Sequence, residues 1–241
     1  MAAEKELSFL DEVAGQGFEQ MGAQETATPM LLIAQAMSDV VSNGSVQVGH
    51  FYNSITGKDY GDNVNVIVCH FQLMWLEWKP NQGGLVARWQ PNEIEVTGDK
   101  YSGMKHGEND VIETWMYLVV LPDHLEDGYM IFSSTRGNLK YLKGWNTQMR
   151  YLRTPSGKPA PLFSAIWNLA TGKDKNKAGN TYYSCNKDGK SSIKQVDWVS
   201  KELFTEYVIP AREIADQAVA IADNREDVAA IESSTSEDVD C

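Results

Sequence analysis

The sequence predicts an α+β protein with a β-barrel or sandwich core, helices at both ends and an acidic tail, on three observations. Residues 45 to 132 break into short runs of β-branched and aromatic residues separated by Gly, Asn and Asp turns. Residues 4 to 41 and 197 to 222 carry apolar residues at helical spacing. Residues 223 to 241 are rich in Ser, Thr, Asp and Glu, a composition that buries too little apolar surface to order itself, so a disordered tail is expected.

In chain order, residues 1–44 read as a helical arm. Leu7, Leu10, Val13 and Ala14 share one spacing, and after Pro29 come Leu32, Ile33, Ala36, Met37 and Val40. Residues 45–200 read as the β-rich core, with strands expected at 46–52, 65–78, 85–89, 112–121 and 129–133. Residues 133–153 return to helical period, with Ser134 or Thr135 as N-cap. At about 100° per residue, Leu139, Tyr141, Leu142, Trp145, Met149 and Leu152 share one half of the wheel. Arg136, Lys140, Lys143 and Arg150 share the other, with no carboxylate among them. Gly137 and Gly144 each weaken such a helix by about 1 kcal/mol, so a break or a tight docking is expected there. A strand at 163–169 and another from Thr181 flank a loop carrying Lys173, Lys175 and Lys177. Residues 197–222 read as two amphipathic helices around Pro210, with 201–222 as the closing C-terminal helical unit. Trp198, Phe204, Val208, Ile214, Ala218 and Ile221 are their expected core positions.

Charge divides the chain as sharply as pattern does. Residues 136 to 201 hold 13 of the 21 Lys and Arg and three of the 33 Asp and Glu, giving +10 inside a chain of net charge −12. The parts before and after carry −13 and −9. Net negative charge repels nucleic acid. Screening beyond about 8–10 Å nevertheless lets a local basic surface hold phosphates while distant carboxylates hardly register. A solvated helix face normally mixes charge signs and gains i,i+4 pairs, which this one forgoes.

The basic segment also contains Tyr141, Trp145, Tyr151, Phe163, Trp167, Tyr182, Tyr183 and Trp198. Cations interleaved with rings suit a single strand with exposed bases. Upstream, strand alternation puts Trp75 with Glu77 on one face and Leu76 with Trp78 on the other, leaving one Trp spare for stacking beside Lys79. The candidate nucleic-acid-binding residues are Arg136, Lys140, Lys143, Trp145, Arg150, Arg153, Lys173, Lys175, Lys177, Tyr182, Tyr183, Trp75, Trp78 and Lys79.

No P-loop, G-x-G-x-x-G, H-E-x-x-H or G-x-S-x-G occurs. His50, His70, His106 and His124 stand at no metal-ligand spacing, and Cys69 and His70 point to opposite faces of one strand. Asp59, Asp62 and Asn63 read as turn formers, and Asp123-His124 as a polar turn after Pro122. No catalytic residue, cofactor or metal is therefore expected. Cys69, Cys185 and Cys241 are odd in number and far apart, which argues for reduced thiols. The longest apolar run, 115–121, falls short of the roughly 20 residues of a membrane helix, and the N-terminus shows no signal pattern. A cytoplasmic protein with no membrane contact is expected.

A β-rich body, a basic aromatic segment and an acidic C-terminus together resemble the single-stranded DNA-binding proteins of tailed bacteriophages. Small phage proteins with a similar middle carry Glu-Trp-Lys-Pro then Gln-Gly-Gly, here Glu77 to Pro80 and Gln82 to Gly84. They also carry Ser-Thr-x-x-x-Leu-Lys-x-x-Lys-x-Trp, here Ser134 to Trp145. The resemblance covers residues 5 to 200. It implies an OB-like barrel that coats single-stranded DNA in replication or recombination within the host cytoplasm, and is compatible with self-association. It further implies an acidic tail, with Glu232, Glu237, Asp238 and Asp240, that recruits replication or recombination proteins; from the charge division of the chain, the tail is also expected to compete with DNA for the basic face. The tail departs from that pattern by ending Val239-Asp240-Cys241 rather than in an aromatic. A phage protein-interaction factor acting through its acidic surface, as a host-enzyme inhibitor, transcription regulator or virion component, is the alternative.

Overall fold

Two long strands, β4 (Asn63–Trp78) and β8 (Asn109–Val120), pair antiparallel and form the spine of the molecule. The computed structural model describes residues 27–215 except 81, 82, 92, 100–102, 177, 178 and 188. At one end of the spine, β10 (Ala165–Ala170) and β15 (Lys194–Trp198) extend the sheet beyond β4, while β9 (Tyr129–Thr135) pairs with β8. At the other end, β5 (Leu85–Trp89) flanks β4, and β7 (Gly103–His106) then β6 (Thr97–Asp99) flank β8. A small sheet of β1 (Leu31–Ile33), β2 (Phe51–Asn53) and β3 (Asp59–Gly61) joins the large one through a parallel bridge from Met30 to Ile131. Two hairpins, β11 (Gly172–Lys175) with β12 (Thr181–Ser184) and β13 (Asn186–Lys187) with β14 (Lys190–Ser191), complete the strands.

Both faces of the spine are apolar because alternate residues of β4 and β8 feed two separate cores. On one face Val64, Val66, Val68, Tyr117 and Val119 meet helix α2 (Leu139–Tyr151; α1 is the short Asp39–Ser42) through Leu142, Trp145 and Met149. Trp145 is fully buried, stacked on Tyr117 with centroids 4.9 Å apart and edge-on to Trp167 at 6.2 Å. On the other face Ile67, Cys69, Leu76, Trp78, Met116 and Leu118 meet Val208 and Ala211 of helix α3. That helix is a continuous run of Lys201–Leu203, a π-helical Phe204–Val208 and Ile209–Glu213, capped by Ser200, whose Oγ accepts from Leu203 N at 3.2 Å. Pro210 has no N–H to donate and crowds the preceding turn; the wider i→i+5 turn before it accommodates both.

The protein is thus α+β and mostly β-sheet; the strands expected at 65–78, 85–89, 112–121 and 129–133 form, whereas of 46–52 only Phe51 and Tyr52 enter a strand and residues 46–50 make a turn. The expected closed, OB-like barrel does not form: among the described residues the large sheet keeps free edges at β15 and β6. The expected helix after Pro29 is replaced by β1, because Leu31 to Ile33 pair with Phe51 to Asn53 and that pairing overrides the helical spacing. Ser134 and Thr135 stay in β9, and a 3-10 turn, Arg136–Asn138, leads into α2 instead of a side-chain cap. Trp198 ends a strand rather than opening a helix. The remaining expectations for residues 1–26 and for the tail, including Glu232, Glu237, Asp238 and Asp240, lie outside the described residues. Cys69 and Cys185 are free thiols buried in different cores, and burial pushes both up to about 12. No helix among the described residues is long and apolar enough to cross a membrane.

One buried carboxylate fastens the outer end of the sheet. Glu77 on β4 is 3 % exposed and accepts from Trp89 Nε1 at 2.7 Å on one neighbouring strand and Asn109 Nδ2 at 2.7 Å on the other. Nδ1 of His106, across the β7–β8 turn from Asn109, lies 3.1 Å away. Burial alone would raise this carboxyl; Asn109, Trp89 and His106 together hold it below its usual value. Glu77→Leu removes the acceptor and leaves these donors without one. It is expected to cost about 2–3 kcal/mol, read as a lower urea midpoint, with Glu77→Gln costing less.

Candidate nucleic-acid interface

The outward side of α2 carries Lys140, Lys143 and Arg150, all exposed, with Arg153 exposed just beyond the helix. It falls there because the inward half of the wheel is filled by Tyr141, Leu142, Trp145 and Met149. The β11–β12 hairpin lies against the same helix. Strand alternation sends Asp174 one way and Lys173 and Lys175 the other.

Asp174 binds hairpin to helix. Its Oδ2 accepts from Tyr141 Oη at 2.6 Å, Tyr182 Oη at 2.9 Å and Lys140 Nζ at 2.9 Å, and its Oδ1 accepts from Lys175 N at 2.8 Å. The Tyr141 hydroxyl foremost, opposed by burial and aided by Lys140, Lys175 N–H and Tyr182, holds this carboxyl well below the usual carboxylate range. Asp174 in turn raises the Lys140 ammonium, whose charge also sits 4.6 Å from the Tyr141 ring centroid. Burial and Asp174 push Tyr182 up to about 12. Gly137 lets Tyr182 approach, since a Cβ there would stand 2.9 Å from the hydroxyl. Gly144, by contrast, faces open space, and α2 runs through it unbroken.

Asp174→Asn is expected to destabilise the protein by about 1–3 kcal/mol at neutral pH, measured by urea denaturation. A carboxyl depressed in the folded state contributes stability above its unfolded value near 3.8, and that contribution disappears as pH falls through the lower folded value. The gap between wild type and Asp174→Asn should therefore close on the acid side of about pH 4.

The β13–β14 hairpin completes the face: Asn186 Nδ2 donates to Gly172 O at 2.9 Å, and β14 packs against α2, presenting exposed Lys190. Among the described residues, Lys143, Arg150, Arg153, Lys173, Lys175 and Lys190 form no ion pair with a carboxylate. A shallow depression of about 280 Å³ is lined by Lys173, Asp174, Lys175 and Thr181. Beside Arg150, Tyr151 is 67 % exposed.

Several expected contact residues prove structural. Trp145 and Trp78, 0 % and 4 % exposed, are core side chains and offer no ring to a base. Tyr182 is engaged by Asp174 and Tyr183 lies over Gly49, so both brace the hairpin. Lys140 is neutralised by Asp174, a partner its own helix does not contain. Trp75 is half-buried opposite Trp89, and Lys79 is exposed at the β4–β5 turn; both belong to the outer end of the sheet. Lys177 and the side chain of Arg136 lie outside the described set. Lys190 is a residue sequence reasoning left out, and Tyr151, counted among the rings of the basic segment, was not placed among the candidate contact residues. Tyr151 sits two places beyond the last inward residue, Met149, and that spacing was its available signal.

His124, Glu126 and Asp127 bring possible ligand atoms within 4.8 Å of one another. Lys58 Nζ stands 2.7 Å from both carboxylates, so an ammonium already occupies the place of a cation there. His50 pairs with Asp59 at 2.9 Å, and Asp59, which opens strand β3 rather than a turn, accepts from Gly61 N at 2.8 Å.

Fold and surface define a helix-braced protein with an open antiparallel sheet and a cationic helix–hairpin face. The Pam3 phage gp34-like protein family matches residues 2–219, and the chain belongs to that family, which marks it as a phage protein. No curated protein and no solved structure matches it.

Proposed function

We propose that this phage protein binds single-stranded DNA without sequence preference, as a coating factor in replication or recombination. The observation that supports the reading is the set of exposed cations, Lys143, Arg150, Arg153, Lys173, Lys175 and Lys190, that form no ion pair among the described residues and stand on three elements packed together. Phosphates displace counterions from these residues, and Tyr151 offers a ring on which a base can stack. The acidic tail competes for the same face at low salt.

Fluorescence anisotropy of labelled oligo(dT) tests the reading, since three of the seven tryptophans, Trp78, Trp145 and Trp167, are buried in the cores and cannot report stacking by intrinsic quenching. Binding at low salt supports it. No binding there, together with co-purification of a host enzyme, supports instead a protein-interaction role through the acidic surface.

A further inference from the structure

Among the described residues β15 ends the eight-stranded sheet and pairs on one side only, with β10. All five of its residues are exposed, Val196 at 53 % and Trp198 at 36 %, so the strand is held by backbone pairing and presents an open edge. Its register with β10 shifts between Ile166 and Trp167, leaving Val196 as a bulged residue. Gln195 is then opposite Trp167, while Lys194 and Asp197 are opposite Asn168 and Ile166. The bulge thereby places Lys194 and Asp197 on the same face of the strand, where unbroken alternation would separate them. Neither forms an ion pair among the described residues.

We propose that β15 pairs antiparallel with β15 of a second copy of this chain, forming a two-fold dimer whose large sheets continue into one another. Directly opposed side chains of an antiparallel pair share a face. A dyad between Gln195 and Val196 sets Lys194 of each copy against Asp197 of the other, and symmetry makes the contact twice. A lone edge lysine repels other strands; a lysine and an aspartate in this order select a copy of the same edge.

Sedimentation of the full chain without nucleic acid, over a range of concentrations, is the test, and it is independent of DNA binding. Wild type is expected to dimerise. Lys194→Glu and Asp197→Lys each place like charges together twice and are expected to weaken the dimer roughly tenfold or more. Mixing the two variants restores both opposite-charge contacts and is expected to restore dimers as mixed pairs. Unchanged melting curves exclude misfolding as the cause of any loss. A wild-type monomer at every concentration, a dimer indifferent to both substitutions, or single variants that fail to pair when mixed would each overturn the proposal.

Discussion

Trp145→Ala is expected to lower folding stability by about 3–5 kcal/mol, the range for removing a large buried aromatic. Its indole is fully buried between Tyr117 on β8 and Trp167 on β10, so it joins α2 to two strands of the sheet at once. Truncation leaves a cavity that Val66, Met149 and Leu142 cannot fill without moving the helix. Trp145→Phe keeps a ring against Tyr117 and is expected to recover much of the loss. Urea denaturation measures both. Oligonucleotide affinity, measured per folded molecule, is expected to stay at the wild-type value, because the ring does not reach the surface. A stable Trp145→Ala protein that has lost binding would return Trp145 to the role its place among lysines first indicated.

The double reversal Lys143→Glu with Arg150→Glu is expected to weaken oligo(dT) binding about a hundredfold at low salt, with no change in the urea midpoint beyond about 0.5 kcal/mol. Both side chains are exposed and lack ion pairs among the described residues, so reversal breaks nothing in the fold. The salt slope should also fall by about 1.4, two contacts at about 0.7 each for single strands. Lys140→Glu is the control. Its charge is already committed to Asp174, so its effect appears in stability more than in the salt slope.

Element type was readable where one periodicity ran long enough to dominate. The apolar stripe of α2 was legible, Leu142, Trp145 and Met149 falling inward as their spacing required. The alternation around Trp75 and Trp78 was legible in part: one indole, Trp78, is in the core and Trp75 is half-buried, but the alternation did not say which of the two would go inward. Where only two or three residues were at stake, pairing partners decided instead. Leu31 to Ile33 follow Phe51 to Asn53 into a sheet although their spacing suits a helix. Barrel closure depends on which strands meet at the edges, and nothing in the runs themselves fixes that. The candidate site was half legible for the same reason. A helical wheel shows charges on its own helix and is blind to Asp174, 34 residues beyond Lys140, which reaches it only after the hairpin folds back. Interleaving of cations with aromatics likewise reports proximity in sequence; the packing then sends the rings of Trp145 and Trp167 inward and the lysines outward.

The most direct measurement is the affinity of the full chain for oligo(dT) as a function of salt. With six phosphate contacts at Lys143, Arg150, Arg153, Lys173, Lys175 and Lys190, the plot of log affinity against log salt is expected to fall with a slope of about −4. No binding at low salt, or binding whose slope is unaltered by reversing Lys143 and Arg150, would contradict the assignment of this face to a polynucleotide.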